Sequence, residues 1–252
     1  MDAKAAYGMS ESLEPLFQLF AALPRKGPGS EASTLRALRA LPDLPPKPRI
    51  LDVGCGAGAA TLVLARETGG HVTAVDLHQP FLDELERRAE AEGLAGQVAT
   101  KRQSMDALED EPASYDLIWS EGAIYLIGFA HGLRLWRPLL RPGGYVCVTE
   151  ATWLTDDPPA EAWAYWDAGY PEMGTIARNV ERARAEGYDT VATFALPRSD
   201  WEREFYDPLR LRMDALRADP AMAEMIGETE REIELYERYG DSYGYVFYLL
   251  RA

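Results

Sequence analysis

The eight residues Leu51 to Gly58, LDVGCGAG, carry the densest chemical signal in the chain. They read as a strand running into a glycine-rich turn and then a helix. Gly54, Gly56 and Gly58 let the backbone come close to a ligand, and bare N–H groups are expected at the helix N-terminus. Gly54-x-Gly56-x-x-Ala59 also satisfies a dinucleotide fingerprint. Asp52, two residues before the first glycine, biases the choice. A carboxylate at the mouth of the strand opposes a pyrophosphate and favours a positively charged ligand, such as an ammonium or a sulfonium. Two unit charges roughly 4 Å apart, at an effective dielectric of about 20, interact by about 4 kcal/mol. A bias severalfold smaller still prefers a cation to a nicotinamide dinucleotide. The competing reading is a buried Asp bonded to loop amides.

Asp76 ends the next apolar segment, VTAVDL, about twenty residues beyond the glycines. That is the spacing at which an acid takes ribose hydroxyls. It supports an adenosine nucleoside without choosing the cofactor, and it opposes a 2′-phosphate. In SMDAL (Ser104 to Leu108) a polar side chain is placed to meet an adenine amino group, with Met105 packing on the ring. Tyr125, His131, Glu150 and Tyr170 are candidate bases or orienting groups. His71, His78 and His131 lack HxxxH or HxxE spacing, and Cys55 and Cys147 make no CxxC pair, so no zinc site is expected. Glu121, Glu150, Asp156 and Asp157 form no clear acid–acid–Asn pattern for magnesium.

The elements that must position these residues alternate. Strands are expected over Arg49 to Gly54, His71 to Leu77, Gln97 to Gln103, Tyr115 to Glu121 and Tyr145 to Trp153, the last after an Arg141 to Gly144 turn. Helices fall between them at Ala59 to Thr68, at Pro80 to Glu92 and through Leu133 and Trp136. Repeated βα units of this length imply a parallel sheet covered on both faces. The rhythm then breaks. Helices at Ala160 to Ala168 and Ile176 to Gly187 lead to a sixth strand, Tyr188 to Leu196. A helical insertion over about 201–239 precedes a last strand, Tyr243 to Arg251. Ahead of the core, Leu13, Leu16, Phe17 and Phe20 make one helical stripe. Ser30 can cap a second helix, and the proline-rich segment Leu41 to Pro48 reads as a linker. This gives an N-terminal helical cap segment over 1–45 and a core over 46–252.

Acidic residues number 41 against 26 basic ones, a net charge of −15, so polyanions are repelled over most of the surface. Nucleic acid and anionic membranes are therefore not expected partners. No apolar run reaches membrane-span length and no signal peptide is visible at the N-terminus. With two unpaired cysteines, a reducing cytoplasm is the expected location.

LDVGCGAG, VTAVDL, SMDAL, YDLIWSEGAIY and LRPGGYV, in this order and spacing, resemble the class I S-adenosylmethionine-dependent methyltransferases. The KGPGS turn before the core and the WSEGAIY segment are similar to those of a small bacterial group of small-molecule type. The resemblance implies a doubly wound, seven-stranded, mostly parallel α/β sheet of Rossmann-like type with a helical cap and an antiparallel last strand. It implies S-adenosylmethionine as cofactor, S-adenosylhomocysteine as product, and cofactor contacts at Asp52, Gly54, Gly56, Asp76, Leu77, Met105, Asp106 and Glu121. Cys55, Ser104, and Lys26 with Gly27 in the KGPGS turn complete the expected cofactor site. Tyr125 and Glu121 are the expected catalytic pair. Ser120-Glu121-Gly122-Ala123 stands where base-modifying enzymes carry [DN]-P-P-[YF], which opposes a nucleic-acid substrate. The acceptor is then a small molecule, expected between Gly122 to Tyr125, Trp153 and Trp163 to Tyr170. A catalytically silent cofactor-binding protein, a nicotinamide oxidoreductase and a homodimer through the insertion remain as alternatives.

Overall fold

A computed structural model describes residues 14–252. Leu13, the first residue of the expected N-terminal stripe, lies outside them. The stripe continues in α1 (Glu14–Phe20), whose Leu16 and Leu19 are buried, and Ser30 accepts a hydrogen bond from Ser33 N to cap α2 (Glu31–Arg39). The core then alternates through β1 (Arg49–Val53), α3 (Ala59–Thr68), β2 (His71–Asp76), α4 (Gln79–Ala91), β3 (Val98–Arg102), β4 (Tyr115–Ser120), α5 (Phe129–Trp136) and β5 (Leu140–Trp153).

The strand order is β3-β2-β1-β4-β5-β8-β7, with β7 at Asp189–Ala195 and β8 at Tyr243–Arg251. β8 runs antiparallel between β5 and β7, while the strands from β3 to β5 are parallel. A two-residue β6 (Gly174–Thr175), not foreseen from the sequence, pairs with the end of β5. The near-continuous apolar runs of the strands follow from burial on both faces. Ile50, Val72, Ala74 and Leu117 join one core layer with Leu62, Leu64 and the N-terminal Leu19 and Leu38. Leu51, Val53, Val75 and Ile118 join the other with Leu133 and Trp136. The chain reverses direction across the sheet where β1 lies between β2 and β4. Crevices at such reversals, beyond the carboxyl ends of the strands, are where open α/β sheets bind ligands.

One expectation changes. Arg141 to Gly144 is not a turn before the fifth strand but a bulge inside β5: Tyr115 pairs with Leu140 and Leu117 with Tyr145, so only Asp116 opposes the extra residues. Gly143 supplies the left-handed backbone this needs (φ 76°), and Arg141 reaches Asp116 at 2.8 Å. The insertion is helical as expected, in several pieces. After α6 (Ala160–Gly169), α7 (Ile176–Ala185) and α8 (Arg198–Trp201), it passes through a π turn at Glu202–Tyr206 into α9 (Asp207–Leu216). It breaks where Asp219 accepts from Ala221 N, ahead of Pro220 and α10 (Ala223–Tyr239).

Gly58 holds the junction of loop and α3 at φ 78°, and a Cβ there would stand 2.1 Å from Leu85 Cδ1 on α4. Gly58→Ala combines a left-handed alanine with overpacking, each costing about 1–2 kcal/mol or more. Thermal or denaturant unfolding should therefore show a loss of at least about 2 kcal/mol. A variant as stable as the parent would mean that Leu85 yields freely.

Candidate active site

The glycine loop is fastened to β2. Gly54 N and Cys55 N both donate to Val75 O, at 2.8 and 3.0 Å, and Gly56 N donates to Asp76 Oδ2 at 2.9 Å. The amides of Gly54, Cys55 and Gly56 are thus bonded within the protein, whereas the start of α3, where bare amides are expected, faces the cavity through Ala59 and Ala60. The glycines serve clearance. A Cβ on Gly54 would lie 2.5 Å from Ala123 Cβ, and one on Gly56 would lie 2.9 Å from Lys26 Cγ.

A cavity of about 190 Å³ opens over this loop. Asp52, Gly54, Cys55, Gly56, Asp76, Leu77, Met105, Glu121, Lys26 and Gly27 all line it. Ser104 and Asp106 do not. The segment after β3 makes a turn closed by Ala107 N to Ser104 O, and the Ser104 hydroxyl donates to the Asp106 carboxylate, which is exposed. Gln103, which sequence reasoning missed, lines the cavity instead, and its buried Oε1 has no hydrogen-bond partner. Its position at the very end of the third expected strand was the available signal. Met105 is held by Trp136, whose indole N–H donates to its carbonyl at 2.8 Å.

The acids of the cavity differ in role. Asp76 accepts one backbone N–H on each oxygen, from Gly56 and from His78, at 2.9 Å each. Each carboxylate oxygen keeps a further lone pair. Burial raises the Asp76 pKa, against these two bonds. Asp52 is 1% exposed and accepts the Thr61 hydroxyl at 2.5 Å. Burial lifts it to about 7, with the Thr61 bond opposing. A cation beside it would draw it back to its charged form. Burial also raises Cys55 well above the ordinary thiol value, so it stays protonated and is no nucleophile.

Glu121, expected as a cofactor contact and as one of the catalytic pair, lines the cavity and also serves as a brace. It forms an ion pair with Arg25, accepts the Thr34 hydroxyl at 2.7 Å and accepts the Trp119 indole N–H at 2.9 Å. The brace pins the strap from Pro24 to Pro28 across the cavity. Lys26 lies along Gly56 and donates to Ala21 O, Leu23 O and Glu84, while burial lowers its pKa. Among the described residues no three His, Cys, Asp or Glu side chains converge to hold a metal. Asp156 and Asp157 are exposed, and His131 is an exposed residue of α5.

A second cavity, of about 330 Å³, lies behind the strap and shares Lys26, Gly27, Pro28 and Gly122 with the first. Tyr125, Tyr165, Trp166 and Tyr170 line it, in part as expected. Trp153 and Trp163 do not. Trp153 packs edge-on against Tyr243, and Trp163 is half exposed on the outer side of α6. The opposite wall, unforeseen, comes from the insertion: Trp201, Phe205 and Leu209 around the π turn, then Met225, Glu228 and Glu232 on α10. Their spacing looked like core packing, and only the fold turns it toward a cavity.

Residues 50–144 match a family described as a methyltransferase domain. A methyltransferase from Thiobacillus denitrificans, solved with S-adenosylhomocysteine, is 25% identical, with 96% of this chain and all of that one covered and a TM-score of 0.82. The ubiquinone biosynthesis O-methyltransferase of Xylella fastidiosa is 44% identical over 40% of this chain and 41% of its own length. Methyltransferase GfsG of Streptomyces halstedii is 31% identical over 40% of this chain and 37% of its own. The chain thus spans less than half the length of these curated relatives. Residues 50–144 thus carry a methyltransferase domain, on the fold of an S-adenosylmethionine-dependent methyltransferase, and S-adenosylmethionine is the cofactor of that fold. The cavity fits that group: a glycine cradle, an acid with two spare lone pairs, an orphaned amide oxygen and a buried carboxylate without a cationic partner.

Asp76→Ala should weaken S-adenosylmethionine binding at least about tenfold, since a hydrogen bond to a charged group is worth about 1.5–3 kcal/mol. Titration calorimetry reads this directly, and an unchanged dissociation constant would remove Asp76 from the site. A second expectation concerns pH. Glu150 on β5 is fully buried, and burial raises it from 4.5 to about 8. A raised carboxyl gives stability that is complete below the unfolded pKa and is lost as pH rises through the folded one. Glu150→Gln should therefore gain melting temperature relative to wild type as pH climbs from 5 to about 8. A difference constant across that range would count against the buried acid.

Proposed function

We propose that the protein transfers the methyl group of S-adenosylmethionine to a small-molecule acceptor held in the larger cavity, releasing S-adenosylhomocysteine. The observation that carries this reading is the shared wall: the two cavities meet at Pro28 and Gly122. The cofactor supplies an already activated methyl group. What remains for the chain is binding, orientation and exclusion of water. In this reading Asp76 takes the ribose hydroxyls and Gln103 Oε1 the adenine amino group, with Met105 and Leu77 against the base. Gly54 and Gly56 allow close backbone approach, Asp52 faces the positive charge, and Lys26 with Gly27 closes the strap that Glu121 braces. Ser104 and Asp106 hold the turn that carries Met105. Tyr125 orients the acceptor.

The division into an N-terminal cap over 1–45 and a core over 46–252 is then one of function rather than folding, because Leu19 and Ala37 of the cap are buried in the shared core. Free Cys55 and Cys147 support a cytoplasmic location. Among the described residues no helix is long and apolar enough to cross a membrane. Leu211, 74% exposed on α9, is the candidate centre of a homodimer contact, testable by sedimentation.

Calorimetry should show S-adenosylmethionine and S-adenosylhomocysteine binding and no NAD binding. Release of S-adenosylhomocysteine across a panel of aromatic acceptors should then separate enzyme from binder. Tyr125→Phe should lower kcat about tenfold with cofactor affinity within about twofold, because an interaction made only in the transition state appears in kcat. Activity should survive EDTA: Glu121 is braced by Arg25 and Glu150 is bonded to Tyr170. Restoration of a chelated enzyme by magnesium would return these acids to a ligand role.

A further inference from the structure

Behind the wall of the larger cavity lies a carboxylate that packing does not explain. Glu150 is 0% exposed; its Oε1 accepts the Tyr170 hydroxyl at 2.6 Å, and its buried Oε2 has no partner. Tyr170, 2% exposed at the end of α6, belongs to the cavity wall and meets the Tyr125 ring edge-on at 6.0 Å. A single structural hydrogen bond needs no acid, and a half-satisfied buried carboxyl is costly. Such groups persist where protons move.

Resting on the methyltransferase reading, we infer that Tyr170 and Glu150 form the proton outlet of this cavity, and that the acceptor is an aromatic hydroxyl compound. The flat walls of Tyr125, Tyr165, Trp166 and Trp201 suit a ring. Lys26 cannot serve as the base, being committed to Glu84 and two carbonyls of the strap. The transfer balances. The acceptor oxygen forms its bond to the methyl carbon, and the carbon–sulfur bond breaks with its electron pair left on sulfur. The hydroxyl proton passes to the Tyr170 oxygen while the Tyr170 proton passes to Glu150 Oε1. One positive and one negative charge disappear together inside the cavity. Tyr170 cannot hold an anion, since burial first and then Glu150 push its pKa far up, so it relays a proton only by receiving one. Glu150 acts through it, as a positioning residue that stores the proton. The groups facing Glu150 are Tyr170, Tyr248 of β8, Arg182 of α7 and Glu172 of the turn before β6. Burial is the largest influence on its pKa, raising it to about 8, and Tyr170 and Arg182 oppose that while Glu172 adds to it.

The probe is 4-nitrophenol, added to the full chain saturated with S-adenosylhomocysteine. Above pH about 8 both the free probe and Glu150 are ionised, and the bound pair shares one proton. Wild type should then take up one proton per probe bound, and affinity should fall about tenfold per pH unit. Calorimetry in buffers of different ionisation enthalpy counts that proton. Glu150→Gln keeps an acceptor for the Tyr170 hydroxyl but cannot ionise, so it should bind without uptake and without pH dependence. Tyr170→Phe should weaken probe binding about tenfold while S-adenosylhomocysteine affinity stays within about twofold. Equal proton uptake in wild type and Glu150→Gln would overturn the inference, as would a wild-type complex that leaves the probe unbound. If S-adenosylhomocysteine itself fails to bind wild type, the methyltransferase reading falls and takes this inference with it. If it binds without proton linkage to the probe, only the inference falls.

Discussion

The hydrogen bonds that tie the glycine loop to β2, from Gly54 and Cys55 to Val75 and from Gly56 to Asp76, are the constraint on which the rest of the site depends. They fix the loop over the C-terminal end of β1 and hold the amides of Gly54, Cys55 and Gly56 to β2. They also aim the Asp76 carboxylate, since each of its oxygens is held by a backbone N–H before any ligand arrives. A preorganised acceptor of this kind loses little entropy on binding, which is where much of the cost of recognition lies.

The second constraint is the brace on Glu121. Arg25, Thr34 and Trp119 converge on one carboxylate from the strap, from α2 and from β4. It is a side chain at the end of a core strand that binds the N-terminal helices to the sheet edge. The partition between the two cavities is thereby created, because the strap lies between them and contributes walls to both. Buried ion pairs of this sort are poor sources of stability when weighed against apolar packing, and they are better understood as devices of position.

Two further acids, Asp52 and Glu150, sit fully buried with raised pKa values and no ion-pair partner. Asp52 lies on β1 at the reversal in the sheet order and Glu150 on β5, beyond β4, one beside each cavity. Their burial destabilises the folded chain as pH rises, and in the proposed reaction each meets a positive charge or a proton that offsets it. Strain concentrated at a site and compensated by the surrounding core is the usual pattern in enzymes.

The sequence by itself determined the sheet and the cofactor-side loop. Strand residues Ile50, Leu51 and Val53 are apolar, interrupted only by Asp52, and Phe81, Leu82, Leu85 and Ala89 fall at helical spacing and are all buried. Local pattern sufficed there because period and glycine placement are local properties. Asp76 could be placed for the same reason, since it ends a strand whose length the pattern fixes. The tertiary structure alone decided the rest. Gln103 replaced Ser104 and Asp106 on the cavity wall because one peptide of turn geometry reverses which side chain faces inward. Glu121 became a brace because Arg25 arrives from 96 residues away. The acceptor wall came from Trp201, Phe205 and α10 because a π turn and a break at Asp219 fold the insertion back over the sheet. Contacts of such sequence separation leave no periodic trace, and only the packed chain brings them together.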